Sequence, residues 1–142
     1  MKMATFPFLS YPTAPLPEPP LFKEWAYDFQ NEHMIVGPDG TTTILTGLEA
    51  LKVWIYKAIR TEKARYRAYS GKFGSEVDTL IGSTYSPAAA QAEAQRMITE
   101  ALLQSRYIKS VEYVTVSFSE DDLDISCKLS TVYGTVDVDR VL

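Results

Sequence analysis

The chain has 142 residues, 46% of them apolar, and a formal charge of −4. That length suits one domain around a single core, and the apolar fraction excludes disorder throughout. One cysteine, Cys127, and one histidine, His33, exclude an internal disulfide framework and a Cys/His zinc site, while the mild acidity argues against a dedicated DNA-binding protein.

The first twenty residues hold six of the eight prolines. Proline fixes φ and removes backbone donors, so residues 1–20 read as an extended arm without a core of its own. The same prolines, and the absence of a continuous apolar centre, argue against a signal peptide. No run reaches the roughly 18 apolar residues of a spanning helix, so no membrane is expected. The reading is a cytosolic protein, or part of something assembled in the cytosol.

From Leu21 the pattern changes. Trp25, Tyr27 and Phe29 alternate with small or polar residues at a strand period, and "HMIV", "GPDG" and "TTTIL" read as a hairpin around Pro38-Asp39-Gly40. Thr46 precedes Glu49 by a capping-box spacing, and Leu48, Leu51, Trp54 or Ile55, Ala58 and Ile59 follow at helical spacing. Trp25 and Trp54 are expected in the core. "SEVDTLIG" reads as a short helix capped by Ser75 and stopped by Gly82. A third helix starts at Ser86-Pro87 and runs through "AAAQAEAQRMITEALLQS", burying Ala94, Met97, Ile98, Ala101 and Leu102.

The last third is β. Val114, Val116 and Phe118, then Leu123, Ile125, Cys127 and Leu129, alternate with polar residues as in an antiparallel hairpin with one wet face. At Gly134 the apolar parity passes from odd to even, which a β-bulge would produce. The expected fold is α+β, with a small, mostly antiparallel sheet packed against about three helices. It forms a single domain over 21–142 behind the Pro-rich arm. A strand reaching the C-terminus offers an edge for another chain.

Chemistry is sparse. Cys127 lies on the apolar face of a strand pattern and reads as a packed thiol, and His33 sits beside a turn. "YSGKFGSE" lacks the lysine placement of a phosphate loop, no carboxylate pair is singled out, and Glu120-Asp121-Asp122 reads as a solvated turn. No catalytic residue, metal or cofactor is expected. Lys57, Arg60, Lys63, Arg65, Arg67 and Lys72 are interleaved with Tyr56, Tyr66, Tyr69 and Phe73. Cations beside aromatics suit single-stranded nucleic acid, so a nucleic-acid-binding adaptor using residues 57–73 is the alternative reading. The same charges fit acidic protein surfaces.

Four blocks then follow one another along the chain: "EWAYDFQ", "GLEALKVWIYKAIRTEKARYRAYSGKFGSEVDTLIG", "ALLQSRYIKSVEYVTV" and "STVYGTVDV". Together they resemble the baseplate wedge or sheath-initiator family of contractile phage tails, in the variety found in myophages, defective prophages and tailocins. The resemblance covers roughly residues 23–139. Thr61, Arg65, Tyr66, Tyr69, Phe73 and Gly74 match the family's basic, aromatic turn, but "KARYRAYSG" replaces the Gly-Glu-Arg and proline of the better-known branch.

The resemblance implies a non-enzymatic structural subunit of the baseplate in a virion or phage-like particle, assembled in the bacterial host cytoplasm. Its implied partners are the tail sheath protein and baseplate wedge proteins, with tube or hub proteins and neighbouring copies in a six-fold ring as further contacts. No nucleic acid is expected among them. Two interface regions follow: the turn carrying Arg60, Arg65, Arg67, Tyr69, Phe73 and Gly74, and the C-terminal strand with Tyr133, Gly134, Val136 and Val138.

Overall fold

Short strands open the fold and exchange partners at one alanine. β1 (Lys23–Trp25) pairs antiparallel with β4 (Ile44–Thr46), whereas β2 (Tyr27–Asp28) pairs with β3 (His33–Met34). Three backbone bonds close the junction: Ala26 N–H to the Thr43 carbonyl at 2.8 Å, Thr43 N–H to Ile35 at 3.2 Å, and Ile35 N–H to Ala26 at 3.0 Å. Ala26 fills the centre of this triangle and is buried, which leaves Trp25 45% exposed beside its cross-strand partner Ile44. The expected burial of Trp25 is therefore corrected: the strand changes partners at Ala26, which takes the buried position beside it. The computed structural model describes residues 14–63, 65, 67–68, 71–119 and 122–141.

The "GPDG" turn forms where expected. Gly37 N–H reaches the Thr41 carbonyl at 2.8 Å, and the Asp39 carboxylate accepts from the Thr41 amide and hydroxyl. The arms of that hairpin stay paired only from Ile35 to Thr43, because β4 then leaves to join β1.

α1 (Gly47–Arg60) starts directly from β4 and buries Ala50, Leu51, Val53, Ile55, Ala58 and Ile59. Thr46 does stand at the N-cap, but its side chain makes no cap bond. It is held extended in the ladder opposite Lys23, and Glu49 pairs instead with Lys52 at 2.8 Å. Trp54 is half-buried at the rim of the core. After the basic turn comes a 3-10 turn, Val77–Leu80, in place of the short helix expected there. α2 (Pro87–Leu102) is capped by Ser86, whose hydroxyl accepts from the Ala89 amide, and stops three residues before the expected end at Ser105. Its buried stripe is alanine-rich, with Ala90, Ala94 and Ala101 beside Ile98 and Leu102, which lets it lie close to the sheet.

The sheet is a meander of β5 (Ile108–Phe118), β6 (Leu123–Thr131) and β7 (Gly134–Val141) in that order. Its inner face presents Val114, Val116, Leu123, Ile125, Cys127, Leu129, Val136 and Val138 to the helices. Its outer face is polar. The parity change at Gly134 has a simpler origin than a bulge: Val132 and Tyr133 make a two-residue hairpin turn, which sets Leu129 opposite Val136 and Cys127 opposite Val138. The bulges lie in β5, between Ile108 and Ser110 and between Val111 and Tyr113. The fold is thus α+β, with two α-helices and a 3-10 turn among the described residues, where about three helices were expected. Of the Pro-rich arm, residues 1–13 lie outside the described residues, and residues 14–20 form neither helix nor strand.

Candidate assembly interface

The basic turn is closed at its base by a backbone clamp. Ser75 N–H donates to the Thr61 carbonyl at 2.9 Å, and Lys63 N–H donates to the Ser75 carbonyl at 3.1 Å. The Ser75 hydroxyl donates to the Ile59 carbonyl at 2.7 Å, inside the protein. Ser75 is therefore a buried tie between the two ends of the turn and not a helix cap. Gly74 makes the tie possible: it has φ +99°, and a Cβ there would overlap the Thr61 carbonyl and sit 3.2 Å from Lys63 Cα. Phe73 is half-buried, edge-on to Trp54 with ring centroids 5.9 Å apart.

Carboxylates engage three of the six cations around this turn. Lys57 meets Glu24 at 3.0 Å in a half-buried pair, Arg60 meets Glu32, and Arg65 meets Glu62 at 2.7 Å. Arg67 is exposed, and Tyr69 lies outside the described residues. Phe29 stacks on Tyr56 at 4.3 Å and, with Tyr27, Lys57 and Arg60, lines a shallow hollow above the helix end. Asp78, below the turn, has its carboxyl pushed above the usual range by burial and by the Glu62 charge, with Arg60 opposing.

The second region is divided between core and surface. Val136 and Val138 are buried against the helices, so their side chains serve the core. Tyr133 is half-buried; its hydroxyl accepts from the Phe22 amide at 2.8 Å, and its ring stacks on Tyr107. Tyr107 in turn donates its hydroxyl to the Pro20 carbonyl at 2.8 Å and meets Phe22 edge-on. These two tyrosines fasten the segment entering β1 to the β6–β7 turn. Gly134 opens β7 at φ +115°, in open space.

What β7 offers to a partner is backbone. It pairs with β6 alone among the described strands, and alternate residues of an edge strand direct N–H and C=O outward. The Asp139 carbonyl accepts from the Tyr56 hydroxyl at 3.0 Å, which marks Asp139 as one of the outward set. Counting back by two, Thr135 and Asp137 belong to the same set and stand exposed. The residues named from the sequence on this strand, Val136 and Val138, face the core, and the outward peptide groups belong to the polar residues between them. The two-residue turn at 132–133 fixes which set faces outward.

Elsewhere the chemistry is quiet. Cys127 is buried in the central strand, and burial, followed by the charges of Asp139 and Asp137, pushes its thiol up to about 12. Among the described residues no group of three or more His, Cys, Asp or Glu could hold a metal ion, and no helix is long and apolar enough to cross a membrane.

Residues 23–134 match the family model described as the contractile injection system sheath initiator. The chain is also 30% identical over 116 residues to the phage-like element PBSX protein XkdS of Bacillus subtilis (strain 168), covering 81% of this chain and 78% of that protein. The family match runs from β1 to the first residue of β7. This chain belongs to the sheath-initiator family of contractile injection systems, structural components of contractile tails.

Proposed function

We propose that this non-enzymatic subunit sits where a tail baseplate meets the tail, bound to wedge proteins on one side and to the first sheath subunits on the other. Assembly takes place in the host cytoplasm, and the finished site is the baseplate of a phage or phage-like particle. β7, with its hairpin to β6, is the surface on which a sheath strand pairs. One observation carries this reading: the outward peptide groups of Thr135 and Asp137 sit on a strand edge with no protein partner among the described strands. Val136 and Val138 hold that edge rigid from behind.

The basic turn is the wedge-facing or ring-facing side. Its ion pairs Arg60–Glu32 and Arg65–Glu62 are exposed and worth only about 0–1 kcal/mol each, so an acidic partner surface can take over either arginine at little cost. The same pairing weakens the nucleic-acid reading, since Lys57, Arg60 and Arg65 already face carboxylates.

Deleting β7 would strip two core valines and test folding, not pairing. Asp137→Pro is the sharper change: its N–H points away from β6, so a proline there leaves the ladder intact while blocking an incoming strand. Co-expression with the sheath and wedge proteins of the same particle should give wild-type chains that recover sheath, and Asp137→Pro chains that keep wedge but lose sheath. Equal sheath recovery by both would sink the pairing role of β7.

A further inference from the structure

The three-stranded sheet has two edges, and the protein treats them differently. On β5 the residues facing away from β6 include Val114 and Val116, and both are engaged by α2. Val116 N–H donates to Gln91 Oε1 at 3.1 Å, and Gln95 Nε2 donates to the Val114 carbonyl at 2.7 Å. Gln91 Nε2 also reaches the Val114 carbonyl, at 3.5 Å. A glutamine carboxamide carries the same donor and acceptor as a peptide group. The two side chains therefore occupy the positions that the backbone of a neighbouring strand would fill.

The other half of β5 is spoiled in a different way, by the bulges between Ile108 and Ser110 and between Val111 and Tyr113. Bulges and covering helices are two means by which natural sheets deny an edge to other chains. Past Val116 only Phe118 remains on that side, in a groove it shares with Ile81 and Tyr85, one residue's worth of edge. β7 has neither device. Its pairing with β6 is continuous from Gly134 to Val141, and among the described residues only the Asp139 carbonyl is covered, by Tyr56.

We infer that Gln91 and Gln95 seal the β5 edge, so that the chain accepts a partner strand at β7 alone and starts an assembly in one direction only. This rests on β7 being the pairing edge, but the seal itself can be tested without any sheath protein. If β5 were as open as β7, the β5 of one copy could pair with the β7 of the next. Such a head-to-tail contact would join copies into rings or filaments instead of waiting for sheath.

The test is the full-length double variant Gln91→Met, Gln95→Met, which keeps the aliphatic stems against the sheet and removes both carboxamides. Exchange of the Val116 amide, read by NMR, should quicken about tenfold against wild type, as expected for loss of its partner. Sedimentation velocity should show oligomers whose share rises with concentration, and adding Asp137→Pro should abolish them. Gln91→Glu keeps the acceptor for Val116 N–H, so that single change should leave the amide protected; it also serves if the double variant does not fold. A folded double variant with wild-type protection at Val116, or one that associates no more than wild type, would overturn the inference. Failure of Asp137→Pro to affect sheath recovery would instead count against the function of β7, leaving the Val116 result standing.

Discussion

Gly74 shows how one missing Cβ shapes a surface. Its φ of +99° and its closeness to the Thr61 carbonyl draw the two ends of the basic turn together, and Ser75 bonds them. Gly74→Ala should lower stability by about 1–3 kcal/mol from backbone strain alone, with the steric overlap added to that, measured by urea denaturation. Asp78 offers a pH-dependent case beside the same turn. Its folded pKa is raised by burial and by Glu62, so its contribution favours the fold below the ordinary carboxylate range and is lost as pH rises through the folded value. Asp78→Asn should therefore melt higher than wild type at pH 7, with that advantage gone at pH 3, where the aspartate is already neutral. A gain of equal size at both pH values would show that charge is not the cause.

At the scale of elements, two tyrosine ties join parts far apart in sequence. Tyr133, in the β6–β7 turn, accepts from Phe22 at the mouth of β1, and Tyr107 holds Pro20 beside it. Tyr133→Phe keeps the ring stack and removes the acceptor. It should cost about 1 kcal/mol and speed exchange of the Phe22 amide, whereas an unchanged amide would mean that the ring alone holds the segment. Elements governed by local rules were legible in the sequence: the Ser86-Pro87 start of α2, the apolar stripe of α1, and the alternation from Leu123 to Leu129. Elements governed by distant partners were not. The strand switch at Ala26 depends on Ile35 and Thr43, the absent cap at Thr46 on Lys23, and the buried role of Ser75 on Ile59. The Gln91 and Gln95 contacts were equally hidden, because a glutamine on a helix gives no sign that a strand edge lies within its reach.

The whole molecule is a sheet with helices on one face, polar side chains on the other, and unequal edges. Thr115, Ser117, Asp124, Thr135, Asp137 and Asp139 keep the outer face wet, so a partner gains little by lying flat on it. The edge is the better route, because backbone pairing needs no apolar patch. Family membership places the chain in contractile tails, and the matched range ends as β7 begins. The proposed pairing of β7 with sheath therefore rests on the geometry of this chain and not on the family match. The measurement that tests it most directly is amide exchange of the full-length chain with and without the sheath subunit of the same particle. The Thr135 and Asp137 amides should gain at least about tenfold protection in the complex, with Val116 unchanged. A stable complex that leaves Thr135 and Asp137 exchanging as in the free chain would contradict the account.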